Sequence, residues 1–179
     1  MKKVLREILS TSLYLLVVLC AVYLLIHFVG QRTQVSGSSM EPKLSNEDNL
    51  IVDKITYRFR EPERYDIIVF AFRHDERTFY IKRIIGLPGE TVYIDEDGTI
   101  FINDEPLVEG YGKEVIEDPG RAYSPITLAD DEYFVLGDNR NNSSDSRSSS
   151  VGNIKRDSII GRAWLRIWPL DKFGLIRHR

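Results

Sequence analysis

The chain has 179 residues, 42% apolar and 28% charged, with a formal charge of −3, which suits one globular domain plus an appendage. A single cysteine, Cys20, excludes an intrachain disulfide and any paired-cysteine metal or redox site. The three histidines lack ligand spacing, so neither a metal nor a cofactor is expected.

The first element is an apolar run. Ile8 to Gln31 contains no Asp, Glu, Lys or Arg. Ile8–Val29 would make about 33 Å of helix at ~1.5 Å per residue, matching a bilayer core of about 30 Å. Lys2, Lys3 and Arg6 precede it against Glu7 alone, so the positive-inside rule keeps the N-terminus cytoplasmic. A secretory leader is the competing reading. The run is long for one, and HFVGQRTQV offers no small-residue cleavage site. The expectation is a cytoplasmic tail over 1–7, an uncleaved single-pass anchor over 8–29, a polar linker over 30–36 and an extracytoplasmic domain over 37–179. The anchor region carries +2 and the chain −3, so the remainder carries −5, which argues against nucleic acid as a partner.

Beyond the linker the pattern is strands and turns. Residues 49–57 alternate. Residues 65–72 and 78–86 are continuous apolar runs of the kind buried on both faces. Residues 91–103 read as a hairpin turning at Asp97-Gly98. Further strands are expected at 133–136 and within 158–170. No long helical period appears outside the anchor, so the fold class is an all-β catalytic domain, a folded sheet or barrel, on one N-terminal transmembrane helix.

Three segments carry chemistry. SGSSMEP at 36–42 places Ser39 in a turn of small residues, where Gly37 permits positive φ and backbone N–H groups can face an oxyanion. Alone it reads as well as flexible linker. FYIKRIIGLPGE at 79–90 puts Lys82 inside an apolar strand, with Tyr80 and Ile84 on its own face and Ile81, Arg83 and Ile85 on the other. A snorkelling lysine is the bland alternative. A desolvated amine loses its charge more readily, Arg83 is expected to push the same way, and a neutral amine can take a proton from a serine. GDNRNNSSDSR at 137–147 is rich in turn formers, and its mixed charges suit a self-satisfying network whose hydroxyls orient a neighbouring amine.

In order, SGSSMEP, RYDIIVF (64–70), YIKRIIGLPGE (80–90) and GDNRNNSSDSR resemble the motif boxes of bacterial type I signal peptidases, and the single anchor resembles the Gram-positive form. The resemblance implies a membrane-anchored serine endopeptidase that removes signal peptides from exported preproteins through an acyl-enzyme. It makes Ser39 the nucleophile, Lys82 the general base and Ser143 the hydroxyl orienting the lysine. Arg83, Asp138, Asp145 and Arg147 would shape the site, and Met40 and Pro42 its turn. Gly37 stands where some members carry an oxyanion-hole hydroxyl, so the donors fall to backbone N–H groups, that of Ser39 included, or to Ser38. Lys43 replaces a common threonine. The implied partners are signal-peptide-bearing preproteins, membrane lipid and neighbouring export machinery, at a bacterial plasma membrane. Ile68, Phe70, Tyr80 and Ile84 are candidate pocket walls, and Trp164 and Trp168 are either lipid-touching anchors or ordinary core and edge aromatics.

Two other readings compete. One is a Ser-His-Asp hydrolase using His74, although His74-Asp75-Glu76 reads as a solvated turn. The other is a noncatalytic membrane-tethered binding module.

Overall fold

The computed structural model describes residues 2–28 and 30–178. Met1, Val29 and Arg179, which bound the expected tail, span and domain, lie outside the described residues. Lys2–Phe28 is one helix, α1, about 40 Å long at ~1.5 Å per residue. Its stretch Arg6–Tyr23 is long and apolar enough to cross a membrane, and none of it is buried against the rest of the protein. Leu9, Leu13, Leu16 and Leu19 all face outward, as an apolar helix does when its surroundings are apolar too.

The rest is strands: β1 Gly30–Gln34, β2 Asn49–Asp53, β3 Ile67–Phe72, β4 Asp75–Gly86, β5 Thr91–Ile94, β6 Ile100–Ile102, β7 Glu105–Pro106, β8 Ile126–Thr127, β9 Glu132–Leu136, β10 Ile154–Lys155, β11 Ile159–Trp168 and β12 Gly174–Leu175. The larger sheet runs β1-β2-β11-β3-β4-β9-β10 with β12 on β11, and the smaller runs β7-β6-β5-β8. The all-β expectation therefore holds.

The polar linker expected over 30–36 is corrected. Gly30–Gln34 is a strand, antiparallel to β2 from Gly30 opposite Asp53 to Gln34 opposite Asn49. It occupies the sheet edge, where a polar sequence serves as well as it does in a linker. Arg32 further fixes it through Asn49 Oδ1, at 3.1 and 2.7 Å. The strand expected over 49–57 stops at Asp53 because that carboxylate accepts the Ile55 and Thr56 N–H groups, at 2.8 and 3.0 Å. Such a side chain offers the backbone an alternative to the ladder. The hairpin at 91–103 forms, with a wider loop than a two-residue turn: Asp95 Oδ1 accepts from Asp97 and Thr99, and Gly98 has φ +78°.

Three apolar clusters fill the interior. Ile85, Val92, Ile94 and Phe134 join the small sheet to the large one. Ile68, Phe70, Ile84 and Val135 line one face of the large sheet. Val35, Met40, Leu44, Leu50, Ile67 and Ile176 form the third, with Ile81 against them. In that third cluster Val35, just past β1, packs with residues of β3 and β4, although three strands separate β1 from β4. The large sheet is therefore curled, and its mouth holds the site.

Candidate active site

Ser39 is set by its neighbours on both sides. Met40 is buried at 1% exposure in the third cluster, which turns the adjacent serine outward. Gly37 has φ +90°, a conformation that favours glycine, and its N–H is fixed by Asn46 Oδ1 at 2.8 Å. Glu41 N–H closes the turn on Ser38 O at 3.1 Å, and the Glu41–Pro42 bond is cis. From the 137–147 loop, Asn139 N–H donates to Ser39 O at 3.0 Å, Asn139 Nδ2 to Ser38 O at 3.2 Å and Asn142 Nδ2 to Ser38 Oγ at 2.9 Å. This approach needs Gly137, because a Cβ there would lie 2.5 Å from Ser39 O. Among the described residues the Ser39 N–H has no acceptor, so it is free to bind an oxyanion.

Lys82 reaches this turn from β4. Its Nζ lies 2.8 Å from Ser39 Oγ and 3.0 Å from Ile81 O. Ile68 stands opposite it on β3, and the Tyr80 ring centroid is 5.3 Å from the amine. The side chain is 4% exposed. Burial brings its pKa from 10.5 down to about 8, against Asp145 and Asp138, which pull it up. The expected contribution of Arg83 is corrected. Arg83 points to the opposite face, where Asp138 neutralises it, so desolvation alone depresses the lysine.

Arg83 is 1% exposed. It binds Asp138 through Nε at 2.8 Å and Nη2 at 2.6 Å, and Nη1 donates to Tyr65 O and His178 O. The Tyr111 ring covers its guanidinium at 4.0 Å. Asp145 accepts Gly137 N–H at 3.1 Å and two Arg147 donors at 2.9 Å each. Arg147 also donates to Asp118 O and Arg140 O. Within the 137–147 loop only Asp145 and Arg147 pair with each other; Asp138 pairs with Arg83 on β4 and Arg140 with Glu109, so the self-satisfying network expected from the sequence is only partly formed.

Ser143 departs from expectation. The lysine's hydrogen bonds go to Ser39 and Ile81, while Ser143 Oγ is buried without a hydrogen-bond partner. Its hydroxyl packs over Gly137, where a Cβ would approach it to 2.2 Å, so close packing rather than a bond to Lys82 fixes it.

A cleft of about 330 Å³ opens over the dyad, lined by Thr33–Ser36 on one side and Thr78–Lys82 on the other, with Val69, Ser39 and Ser144. Of the expected walls, only Tyr80 lines it. Ile68, Phe70 and Ile84 are buried in the core beneath. Thr33–Ser36 escaped the sequence reading because a polar segment beside an anchor resembles a linker. His178 also escaped. It is buried, its Nδ1 accepts Ile67 N–H at 2.8 Å and its carbonyl accepts Arg83 at 2.9 Å. Only the fold reveals either role. His74 sits exposed at the β3–β4 turn, six residues beyond Ile68, or about 20 Å along a strand from the Lys82 position. Trp164 and Trp168 are exposed, at 44% and 54%.

Residues 8–168 match the sequence model of the family described as signal peptidase, peptidase S26. A probable signal peptidase I-2 from Synechocystis sp. is 43% identical over 157 residues, covering 83% of this chain and 68% of the relative. Signal peptidase I P of Bacillus subtilis subsp. natto is 36% identical over 171 residues, covering 92% and 89%. The crystal structure of a signal peptidase I from Enterococcus faecalis shares 36% identity at a TM-score of 0.46, covering 57% of this chain and 97% of that one.

Proposed function

The chain belongs to the signal peptidase family, peptidase S26, and from that premise we propose that it cuts signal peptides from preproteins with Ser39 as nucleophile and Lys82 as general base. One observation carries this reading: an amine buried among apolar groups lies 2.8 Å from a serine hydroxyl. With a pKa of about 8, roughly a tenth of it is neutral at pH 7, and that fraction can accept a proton.

The substrate lies extended in the cleft between Thr33–Ser36 and Thr78–Lys82. Ser39 Oγ attacks the scissile carbonyl carbon as its proton passes to Lys82 Nζ. The oxyanion faces the unpaired Ser39 N–H. Lys82 then returns the proton to the leaving amine, giving an ester on Ser39. Lys82 next deprotonates a water that hydrolyses the ester, and the proton returns to Ser39. Arg83, Asp138, Asp145 and Arg147 hold the strand and loop in place without touching substrate.

The membrane supplies the remaining constraint. α1 spans a bacterial plasma membrane with its basic end in the cytoplasm, and β1 starts two residues after α1 ends. Ser39 lies 11 residues past Phe28, within about 40 Å even when fully extended. The nucleophile is thus kept near the outer surface, where a preprotein delivered by the export machinery presents its cleavage site.

The test is processing of a preprotein by the full-length protein in detergent, with the cut mapped by mass spectrometry. Ser39→Ala and Lys82→Ala, each with an unaltered circular dichroism spectrum, should abolish the cut. Retained processing in either would refute the dyad.

A further inference from the structure

The connection from β7 to β8 leaves the small sheet and crosses the 137–147 loop. Residues 107–119 form neither helix nor strand, and loops longer than about 12 residues tend to be functional or disordered. Apolar burial fixes this one only in part. Leu107 and Ile116 join the first cluster, whereas Val108 and Val115 are 93% and 69% exposed.

Its middle is held by charge, ring and backbone contacts instead. Glu109 forms an ion pair with Arg140 at 2.6 Å, and neither side chain is more than 9% exposed. The Tyr111 ring lies over the Arg83 guanidinium at 4.0 Å and against the Tyr65 ring at 4.8 Å. Lys113 N–H donates to Asp138 O at 2.8 Å, and Lys113 Nζ lies 3.6 Å from Glu41, which follows closely after Ser39. Asn141 donates to Val115 O at 2.9 Å and accepts Glu117 N–H at 3.0 Å.

These contacts lead to the nucleophile. Arg140 Nε donates to Gly137 O at 3.0 Å, Gly137 lies against Ser39 O, and Asn139 N–H donates to that same oxygen at 3.0 Å. A buried arginine without its carboxylate is an uncompensated charge, so Glu109 fixes Arg140 and the backbone that Arg140 holds. Tyr111 covers the cation next to Lys82 in β4. Neither Glu109 nor Tyr111 lines the cleft.

We propose that Glu109 and Tyr111 are positioning residues for peptide cleavage: the 107–119 strap clamps the 137–147 loop and Arg83, and so holds Ser39 Oγ within reach of Lys82 Nζ. The small sheet serves the reaction by carrying this strap. The inference rests on the reading of Ser39 and Lys82 as the catalytic dyad.

The clamp is tested in full-length protein in detergent, well below each variant's own melting temperature, by preprotein cleavage and by amide hydrogen exchange over residues 137–143. A ~1 Å misplacement of reacting groups can cost about 100-fold in rate, and a slackened clamp should move them less, so kcat of E109Q should fall roughly tenfold. KM should stay within about twofold, because only an interaction of the transition state is weakened. E109D, which keeps the charge, should recover part of kcat. Y111A should lose rate in the same way, and Y111F, which keeps the ring over Arg83, should retain it. Exchange over 137–143 should quicken in E109Q and Y111A and stay slow in Y111F. A lowered melting temperature with unchanged kcat would make the strap merely structural, and a raised KM with unchanged kcat would make it a substrate contact. Either result, or unchanged exchange, overturns the clamp. Should E109Q not fold, the Y111A and Y111F pair decides. Cleavage by the wild-type protein and its loss in S39A test the peptidase reading separately, and the exchange measurement needs no activity, so the two failures are distinguishable.

Discussion

Lys82→Met should make the protein more stable in a way that fades as pH rises. The wild-type amine has a folded pKa of about 8 against an ordinary 10.5. Between those values the unfolded chain holds a proton that the folded chain has lost, so wild-type stability climbs with pH across that window. Below pH 8 the folded state carries a buried ammonium at a cost of about 3 kcal/mol, at ~1.4 kcal/mol per tenfold. By pH 10 less than about 1 kcal/mol of that cost remains. Methionine has no charge to bury, and the hydrogen bonds it forfeits to Ser39 and Ile81 affect both pH values alike. The melting temperature of Lys82→Met relative to wild type should therefore be roughly 5–10 °C more favourable at pH 6 than at pH 10, using ~2–4 °C per kcal/mol for a domain of this size. Paired thermal melts in one detergent, followed by circular dichroism, measure this. A difference independent of pH would refute the claim that desolvation depresses the amine.

Three further substitutions separate site chemistry from scaffold. Ser143→Ala removes a buried hydroxyl that lacks a partner, a group that costs stability where it stands. That hydroxyl packs over Gly137, which also lies against Ser39 O, so the melting temperature should hold or rise while preprotein cleavage falls; melts and initial rates on one sample decide it, and unchanged cleavage would leave Ser143 without a role. Arg83→Ala strands Asp138, both side chains being 1% exposed, and should cost about 3–5 kcal/mol by urea denaturation. Arg77→Ala, at a pair whose arginine side chain is 96% exposed, should cost less than about 1 kcal/mol, and equal losses would contradict this difference in burial.

Much of the fold was legible wherever burial left a periodic mark. The continuous apolar runs over β3 and β4 read as strands because both of their faces are covered. Lys82 was visible because it and Arg83 are the two charges inside such a run, and its pairing with a serine 43 residues away is what a desolvated amine and the family resemblance together implied. Polar segments hid the rest. Thr33–Ser36 form a cleft wall only because the sheet curls and brings the end of β1 over β4, and no local pattern encodes that approach. Strand alternation already placed Arg83 on the opposite face from Lys82, but only the fold shows Asp138 there to neutralise it. His178 acts from a tail far away in sequence, holding Ile67 and Arg83 through a ring nitrogen and a carbonyl, and composition carries no sign of it.

The pH dependence of Ser39 acylation measures the shared proton most directly. Full-length protein is mixed with an active-site acylating probe from pH 6 to 10, and the adduct is mapped and timed by mass spectrometry. The rate should climb about tenfold per pH unit below pH 8 and level off above it, with the adduct on Ser39 and none in Lys82→Ala. A rate that is flat across this range, or an adduct that still forms at full speed without the lysine, would contradict base catalysis by a desolvated amine.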